Sequence, residues 1–359
     1  MHRKYWYWLN NIEGIGNAKI RRLLECFENP KEVFFADRNE LGHVLSIKEA
    51  DIENILSDRI RRQAFENYEK LVNSPVKCVF PDEEEYPKTL LELYDKPFVL
   101  YYCGSLPDCN GRNVAVVGSR KCSHYGRMVA EELGRVLAMA GYNVISGLAL
   151  GVDVMAHKGA VMAGGRTYAV LAGGPDRCYP NLNYNTYMEI QKSGGIISEY
   201  GPGTFTCAGM FPLRNRIISG LCEAVIVVEA GEKSGSLITA DYALEQNRRV
   251  FAVPGRIGDK GSMGTNRLLW QGAEIITSYD ELLQSLGGME RKENKGQEFN
   301  LPKEENIVYE ILSDYNPRSL DTILYETQME MSDIFTILTK LEIKGLICET
   351  GKNFYVRMR

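Results

Sequence analysis

The sequence predicts an α/β protein with a doubly wound, mainly parallel sheet, and three observations predict it. Short apolar runs alternate with helical stretches at residues 114–117, 143–146, 168–171, 195–198, 224–228, 249–253 and 274–277. Strands that are apolar throughout must be covered on both faces, which is the mark of a parallel sheet between two layers of helix. Right-handed crossovers then wind it into a Rossmann-like domain. The second observation is glycine. Of 34 glycines in 359 residues, 28 fall within residues 104–288, and no G-x-y period runs through them. That stretch needs tight turns or close approach of backbone to a ligand, and collagen is excluded. The third is the contrast with the flanks, which are helical and charge-balanced before it and end in three helices and a hairpin after it.

In chain order, residues 1–75 form the first expected domain. Apolar residues recur at helical spacing at Ala18, Leu23, Leu24 and Phe27, and again at Ile52, Ile55, Leu56 and Ile60. Gly14-Ile15-Gly16 opens a helix, the pattern of a helix-hairpin-helix (SAM-like) domain, whose hairpin N–H groups can hold a phosphate. The alternative is a turn that packs two helices and binds nothing. The 12 basic against 12 acidic residues of this segment favour that alternative. Residues 76–286 form the second domain. Strands at 76–80 and 98–102 flank a Pro- and acid-rich connection, and the seven strands above follow, with helices at 125–140 and 152–163 among the connections. Residues 287–303 are polar and aperiodic and read as a flexible linker. Residues 304–359 form the third domain, with helices at 304–312, 319–325 and 332–344. Strands at 346–349 and 353–357 are expected to pair across Thr350-Gly351-Lys352. Three helices and a hairpin are the winged-helix order.

Composition narrows the function classes. The net charge is −5 and the pI about 5.6, so any nucleic-acid contact must come from a local basic patch rather than from a polycationic chain. Nine scattered cysteines, with no C-x-x-C pair, argue against a disulfide framework or structural zinc and for a reducing cytoplasm. No apolar leader opens the chain, and no apolar run of about 18 residues is present to span a membrane. Neither a metal nor a cofactor is implied.

Ligands of open parallel sheets sit beyond the carboxyl ends of the strands, so the residues that follow each strand carry the information. They are Gly118-Ser119-Arg120 with Ser123, Ser146-Gly147-Leu148-Ala149, Ala172-Gly173-Gly174, Ser234-Gly235-Ser236 and Pro254-Gly255-Arg256. Glycine beside hydroxyls and cations suits an anion: backbone N–H groups converge, a helix N-terminus adds partial positive charge, and Ser or Arg completes the shell. The loop after the first strong strand is not G-x-G-x-x-G, and no G-x-x-x-x-G-K-[ST] occurs, so the dinucleotide and Walker A signatures are both missing. Pro212 reads as the first residue of a helix. Arg214 and Arg216 would then lie near a helix N-terminus, which disfavours cations unless an anion sits between. Solvated arginines or internal salt bridges are the alternative. Asp153 and His157, four apart on one helix, could be an acid–base pair. A structural hydrogen-bonded pair is the simpler reading.

With these segments in view, the sequence closely resembles the DNA-processing protein A (DprA, or Smf) family. The resemblance is carried by residues 114–120 with Ser123 and Tyr125-Gly126, Ser146-Gly147-Leu148-Ala149 through His157, and Tyr179-Pro180 with Asn183. Ser198-Glu199-Tyr200 and residues 211–221, 227–230, 234–240 and 250–255 complete it. It implies a non-catalytic, single-stranded DNA-binding recombination mediator of natural transformation, which protects incoming DNA and loads a RecA-type recombinase. It also implies a homodimer formed through the Rossmann-like domain, with a single-strand-binding protein as a further partner and no membrane. Carried over by residue, Gly118, Ser119, Arg120 and Ser123 would cradle phosphate, and Gly147, Ser234, Gly235 and Ser236 belong to the same glycine-rich edge. Arg214, Asn215 and Arg216 would line the same pocket, and Tyr184 would stack on a base. Two positions depart from the family pattern: Asn181 and Leu150 stand where many relatives carry a basic residue. Each change removes a potential phosphate contact. The expected recognition helix of the winged helix sets only Lys340 and Lys344 against Asp333 and Glu342, which favours protein contact or regulation over duplex binding. The competing readings are an enzyme of the nucleotide N-glycosidase type and a nucleotide-sensing regulator. The former is weakened because the loop 234–239 lacks the expected glycine pattern and the next acid is Asp241.

Overall fold

The computed structural model describes residues 2–108, 111–287, 301–313 and 317–357. Two compact units result, one running from the N-terminal helices through the central sheet and the other holding the C-terminal residues together with Ser123–Val129. Most of the expected linker, residues 288–300, lies outside the described residues.

The first unit is organised by a nine-stranded sheet. Its strands are β1 (Lys77–Val79), β2 (Leu100–Gly104), β3 (Asn113–Val117), β4 (Asn143–Ser146), β5 (Thr167–Val170), β6 (Gly195–Ser198), β7 (Ala224–Val227), β8 (Arg249–Ala252) and β9 (Glu274–Ile275). Their spatial order is β1-β2-β6-β5-β4-β3-β7-β8-β9. From β6 to β9 every pairing is parallel, whereas β1–β2 and β2–β6 are antiparallel. The two early strands therefore close one edge of the sheet, and β6 is not left with a row of open backbone groups. Residues of β3, β4, β5, β6 and β7 are buried throughout, as wholly apolar strands between helical layers require.

Strand β3 is the pivot. The chain moves outward from it through β4, β5 and β6, then returns to its other side at β7 and continues to β8 and β9. The connections that leave the carboxyl ends of the paired strands β3 and β7 thus run to opposite sides at the topological switch point, where a crevice opens beyond the strand ends. Not all the glycines serve that crevice. A Cβ on Gly134 would sit 2.1 Å from Ala156 O and one on Gly159 1.8 Å from Glu131 O. These two glycines let helices His124–Met139 and Val152–Met162 cross backbone to backbone.

The N-terminal helices, Arg3–Asn10 through Asp58–Val72, share their core with the antiparallel edge. Trp6, Trp8, Leu9, Ile20 and Ile55 are buried together with Phe80, Phe98 and Tyr101. Trp6 stacks on Phe80 and Phe98 with centroids 6.4 and 6.1 Å apart. The hairpin at Gly14 and Gly16 does not present an anion cradle. Lys19 is held by Asp51 at 2.7 Å and donates to Gly14 O at 2.8 Å, and Asn17 at the helix start donates to Glu199. Two carboxylates occupy the ground a phosphate would need.

The second unit contains helices Lys303–Ile311, Leu320–Thr327 and Met331–Ile343, followed by the hairpin β11 (Ile347–Gly351) and β12 (Phe354–Arg357). A two-residue strand, β10 (Arg318–Ser319), adds to the hairpin in the order β10-β12-β11. Val308, Ile323, Ile334, Leu338, Leu341 and Tyr355 form its core. This is the winged-helix arrangement expected from the sequence, with one short strand that propensity did not show.

Candidate nucleic-acid interface

A cleft of about 420 Å³ opens at the switch point. Its floor is the turn after β3. Its walls are the start of helix Gly235–Glu245 and one face of helix Met210–Gly220. Gly118, Ser119, Arg120, Arg214, Asn215, Ser234, Gly235 and Ser236 all line it. Eight of the residues singled out in the sequence therefore converge, from three segments far apart in the chain.

The turn is fixed from β7: Ser119 N–H donates to Glu229 O at 2.7 Å. This bond extends the pairing of β3 and β7 past the strand ends, and it uses the N–H that the sequence reading gave to phosphate. Ser119 Oγ accepts from Lys121 N at 3.1 Å, which leaves its hydroxyl hydrogen to donate. Across the cleft, Ser234 caps the helix: its Oγ accepts from Ser236 N at 3.4 Å and pairs with Ser236 Oγ at 2.8 Å. The N-terminus of this 11-residue helix lines the cleft and carries partial positive charge. Arg120 is exposed at the rim, with its guanidinium 4.7 Å from the centroid of the Phe211 ring.

Arg214 lies deeper. Its Nη1 donates to Gly147 O at 2.9 Å and to Val170 O, and its Nε donates to Asn215 Oδ1 at 3.1 Å. Burial pulls its pKa down to about 10 against the opposing pull of Asp153, so it stays charged at neutral pH. Asp153, buried on the same wall, is pushed up by burial. Arg214 and the N–H groups of Ala149 and Gly147, 3.3 and 3.1 Å from Oδ2, act against that push.

Several expectations are corrected here. Helix Met210–Gly220 begins two residues before Pro212, after the turn at Cys207–Gly209, so Pro212 is its third residue and not its first. Arg214 stands in the second turn, away from the helix terminus. Arg216 does not line the cleft. Two residues on a helix rotate a side chain by about 200°, and Arg216 points to the other side. It holds Glu199 through Nη2 at 2.6 and 2.7 Å and Asp95 through Nε at 3.1 Å. Gly147 stands behind the cleft, where a Cβ would lie 2.4 Å from Arg214 Nη1. Ser123 is spent on capping, its Oγ accepting from Gly126 N at 3.0 Å. Tyr184 lies outside the cleft lining; it is 54% exposed, and one face of its ring lies against Tyr187 with centroids 6.1 Å apart. Asp153 and His157 are not bonded as a pair. His157 Nδ1 bonds Thr167 Oγ1 at 2.6 Å, and burial lowers its pKa to about 3. Because Thr167 Oγ1 donates to Val144 O at 2.8 Å, it accepts from His157, which fixes the proton on Nδ1.

Phe211, Lys121 and Thr239 also line the cleft and were not singled out. The signal for Phe211 was present, an aromatic directly ahead of Pro212 in the arginine-bearing segment. Among the described residues no cluster of His, Cys, Asp or Glu could hold a metal ion, and no helix is long and apolar enough to cross a membrane.

Comparison with known proteins points to one family. Residues 77–287 match the family model described as DNA recombination-mediator protein A, and residues 293–351 match the DprA winged helix domain. Protein Smf of Synechocystis is 32% identical, over 98% of both chains. The DNA processing protein DprA of Streptococcus pneumoniae is 38% identical, over 75% of this chain and 93% of that one. The X-ray structure of the Streptococcus pneumoniae protein superimposes with a TM-score of 0.63 and 33% identity, covering 78% of this chain and 97% of that one. The structure of DNA processing protein A from Helicobacter pylori, described as showing a unique single-stranded DNA binding mode, gives a TM-score of 0.53 at 31% identity, covering 59% of this chain and 95% of that one.

Proposed function

Since the chain belongs to the DNA recombination-mediator protein A family, we propose that it binds single-stranded DNA along the cleft between β3 and β7 and passes it to a RecA-type recombinase during natural transformation. The observation that carries this reading is the convergence of a helix N-terminus, hydroxyls and the exposed Arg120 on one cleft. In this reading the Ser234–Ser236 helix start and Ser119 Oγ hold a backbone phosphate, Arg120 pairs with it, and Arg214 supplies fixed positive charge from below. Tyr184 stacks on a base. Leu150 and Asn181, both exposed, add no charge to the track, which makes binding less salt-sensitive than a more basic edge would.

The resulting complex protects incoming DNA, and a single-strand-binding protein is a further partner. Dimerisation through the sheet domain would use its open edge. There β9 is the last strand, and Trp270, at the end of the helix leading into it, is 86% exposed. Lys344, one of two lysines in the last winged-helix segment, is held by Glu305 at 2.6 Å, which supports a protein-contact or regulatory role for that unit. The N-glycosidase reading is not favoured. Asp241 is exposed and stands outside the cleft lining, and Asp153 is committed to the turn at 147–149.

Fluorescence anisotropy with a dT oligonucleotide tests the proposal. Arg120→Ala is expected to weaken binding by about 1.5–3 kcal/mol, the value of a hydrogen bond to a charged group. The salt slope should become shallower by about 0.7 for the one phosphate lost. Unchanged affinity would overturn the assignment, and release of free base from nucleotides by the purified protein would revive the enzyme reading.

A further inference from the structure

The loops after β5 and β6 carry an aromatic ring and a cation that the cleft does not use. Phe205 is 74% exposed, and the Arg177 guanidinium lies 4.1 Å from its ring centroid. A ring this exposed offers a flat apolar face, and the guanidinium beside it adds a charge that a phosphodiester can meet.

The loop that displays this ring is pinned. Both Asp176 carboxylate oxygens accept from Gly203 N, at 2.9 and 3.0 Å, and Gly174 N donates to Thr204 O at 2.9 Å. A Cβ on Gly174 would meet Asp176 Oδ1 at 2.6 Å and Gly201 O at 2.8 Å, so the two loops touch only because that residue is glycine. The ring is therefore held out by a fixed frame, which lowers the entropy lost when it meets a flat partner.

The platform is joined to the cleft rim by a short stretch of chain. Arg120 lies over Phe211, and the Phe211 ring lies 6.0 Å from that of Tyr179, which is half exposed. Arg177 is two residues from Tyr179. Two arginines and three aromatic rings thus lie between the cleft rim and the 201–206 loop.

We propose that Phe205 with Arg177 is a further nucleobase-stacking position, reached by a single strand that leaves the cleft past Tyr179. The inference rests on the reading of the cleft as a single-strand DNA site. Aromatic stacking tolerates any base, so the position adds length and affinity to the track without sequence preference.

The test uses the full chain and a ladder of dT oligonucleotides from about 4 to about 16 nucleotides, the range of single-strand site sizes. Phe205→Ala is expected to weaken binding of the longer oligonucleotides roughly five- to a hundredfold, the range for one stacked base. It should leave the shortest binders and the salt slope unchanged. Arg177→Ala should lower the affinity for the same long oligonucleotides and also make the salt slope shallower. Phe205→Trp should keep the affinity, and its added indole emission should be quenched only by the longer oligonucleotides. Equal loss at every length, or no loss at any, overturns the proposal. Arg120→Ala run in parallel separates the two readings. If it abolishes binding while Phe205→Ala does nothing, only the extended platform fails. If Arg120→Ala itself has no effect, the cleft reading fails first.

Discussion

Arg214 and Arg216 are two residues apart on one helix, yet they belong to different machinery. Arg214 faces the cleft wall, bonded to the carbonyl oxygens of Gly147 and Val170 and electrostatically coupled to Asp153. Arg216 faces the N-terminal helices and closes a network of Glu199, Asp95 and Asn17. One arginine supplies charge to a ligand surface. The other fastens the helix that carries the first. Two arginines close in sequence are thus not a basic patch until the helical rotation is known.

The comparison can be broken in three ways, taken from the largest expected effect to the smallest. Arg216→Met should cost about 3 kcal/mol of unfolding free energy in urea titration, the low end for breaking a buried ion pair, because it leaves the half-buried Glu199 carboxylate with only the Asn17 amide. The folded fraction should still bind dT with normal affinity. A loss of affinity without a loss of stability would put Arg216 back in the DNA site. Tyr184→Ala should weaken dT binding by about 1–3 kcal/mol with the salt slope intact. A changed slope would mean that the ring orders a phosphate contact rather than stacking on a base.

The effect that is smallest at neutral pH, and grows only as the solution is acidified, concerns His157, which lies on Arg214's side of the comparison. Burial, reinforced by the Arg214 charge, lowers its pKa from 6.5 to about 3. Its folded pKa is below the unfolded one, so the unfolded chain binds the proton first. The stability contributed by the neutral ring is complete above about pH 6.5 and is lost as pH falls toward 3. The limiting slope is about 1.4 kcal/mol per pH unit. His157→Gln should flatten the acid limb of a stability–pH profile by up to that amount. An unchanged limb would show that other groups set the acid response.

Much of the fold was legible because its signals are local. The apolar runs and the glycines after them placed β3 through β9 to within a few residues, and in β3 to β7 burial on both faces leaves no polar alternation to misread. The glycine count was a coarser guide. Gly118 and Gly235 do stand at the cleft, but Gly134 and Gly159 serve a helix crossing, and composition cannot separate close approach to a ligand from close approach to another helix. Ser119 and Ser123 show the same limit at the level of the site. Both carry the right chemistry, but one has given its N–H to Glu229 and the other its oxygen to Gly126.

By itself, then, the sequence determined the alternation of strand and helix, the winged-helix order and the glycine–hydroxyl–cation content of the strand ends. These depend on side-chain period and turn chemistry over a few residues. Only the tertiary structure decided that β7 returns to the far side of β3, that the cleft opens between them, and that Arg214 enters it while Arg216 turns away. Strand order is set by pairing between segments far apart in the chain. The direction of a helical side chain is set by where its helix starts, and here that start lies at Met210, two residues before the proline that seemed to mark it.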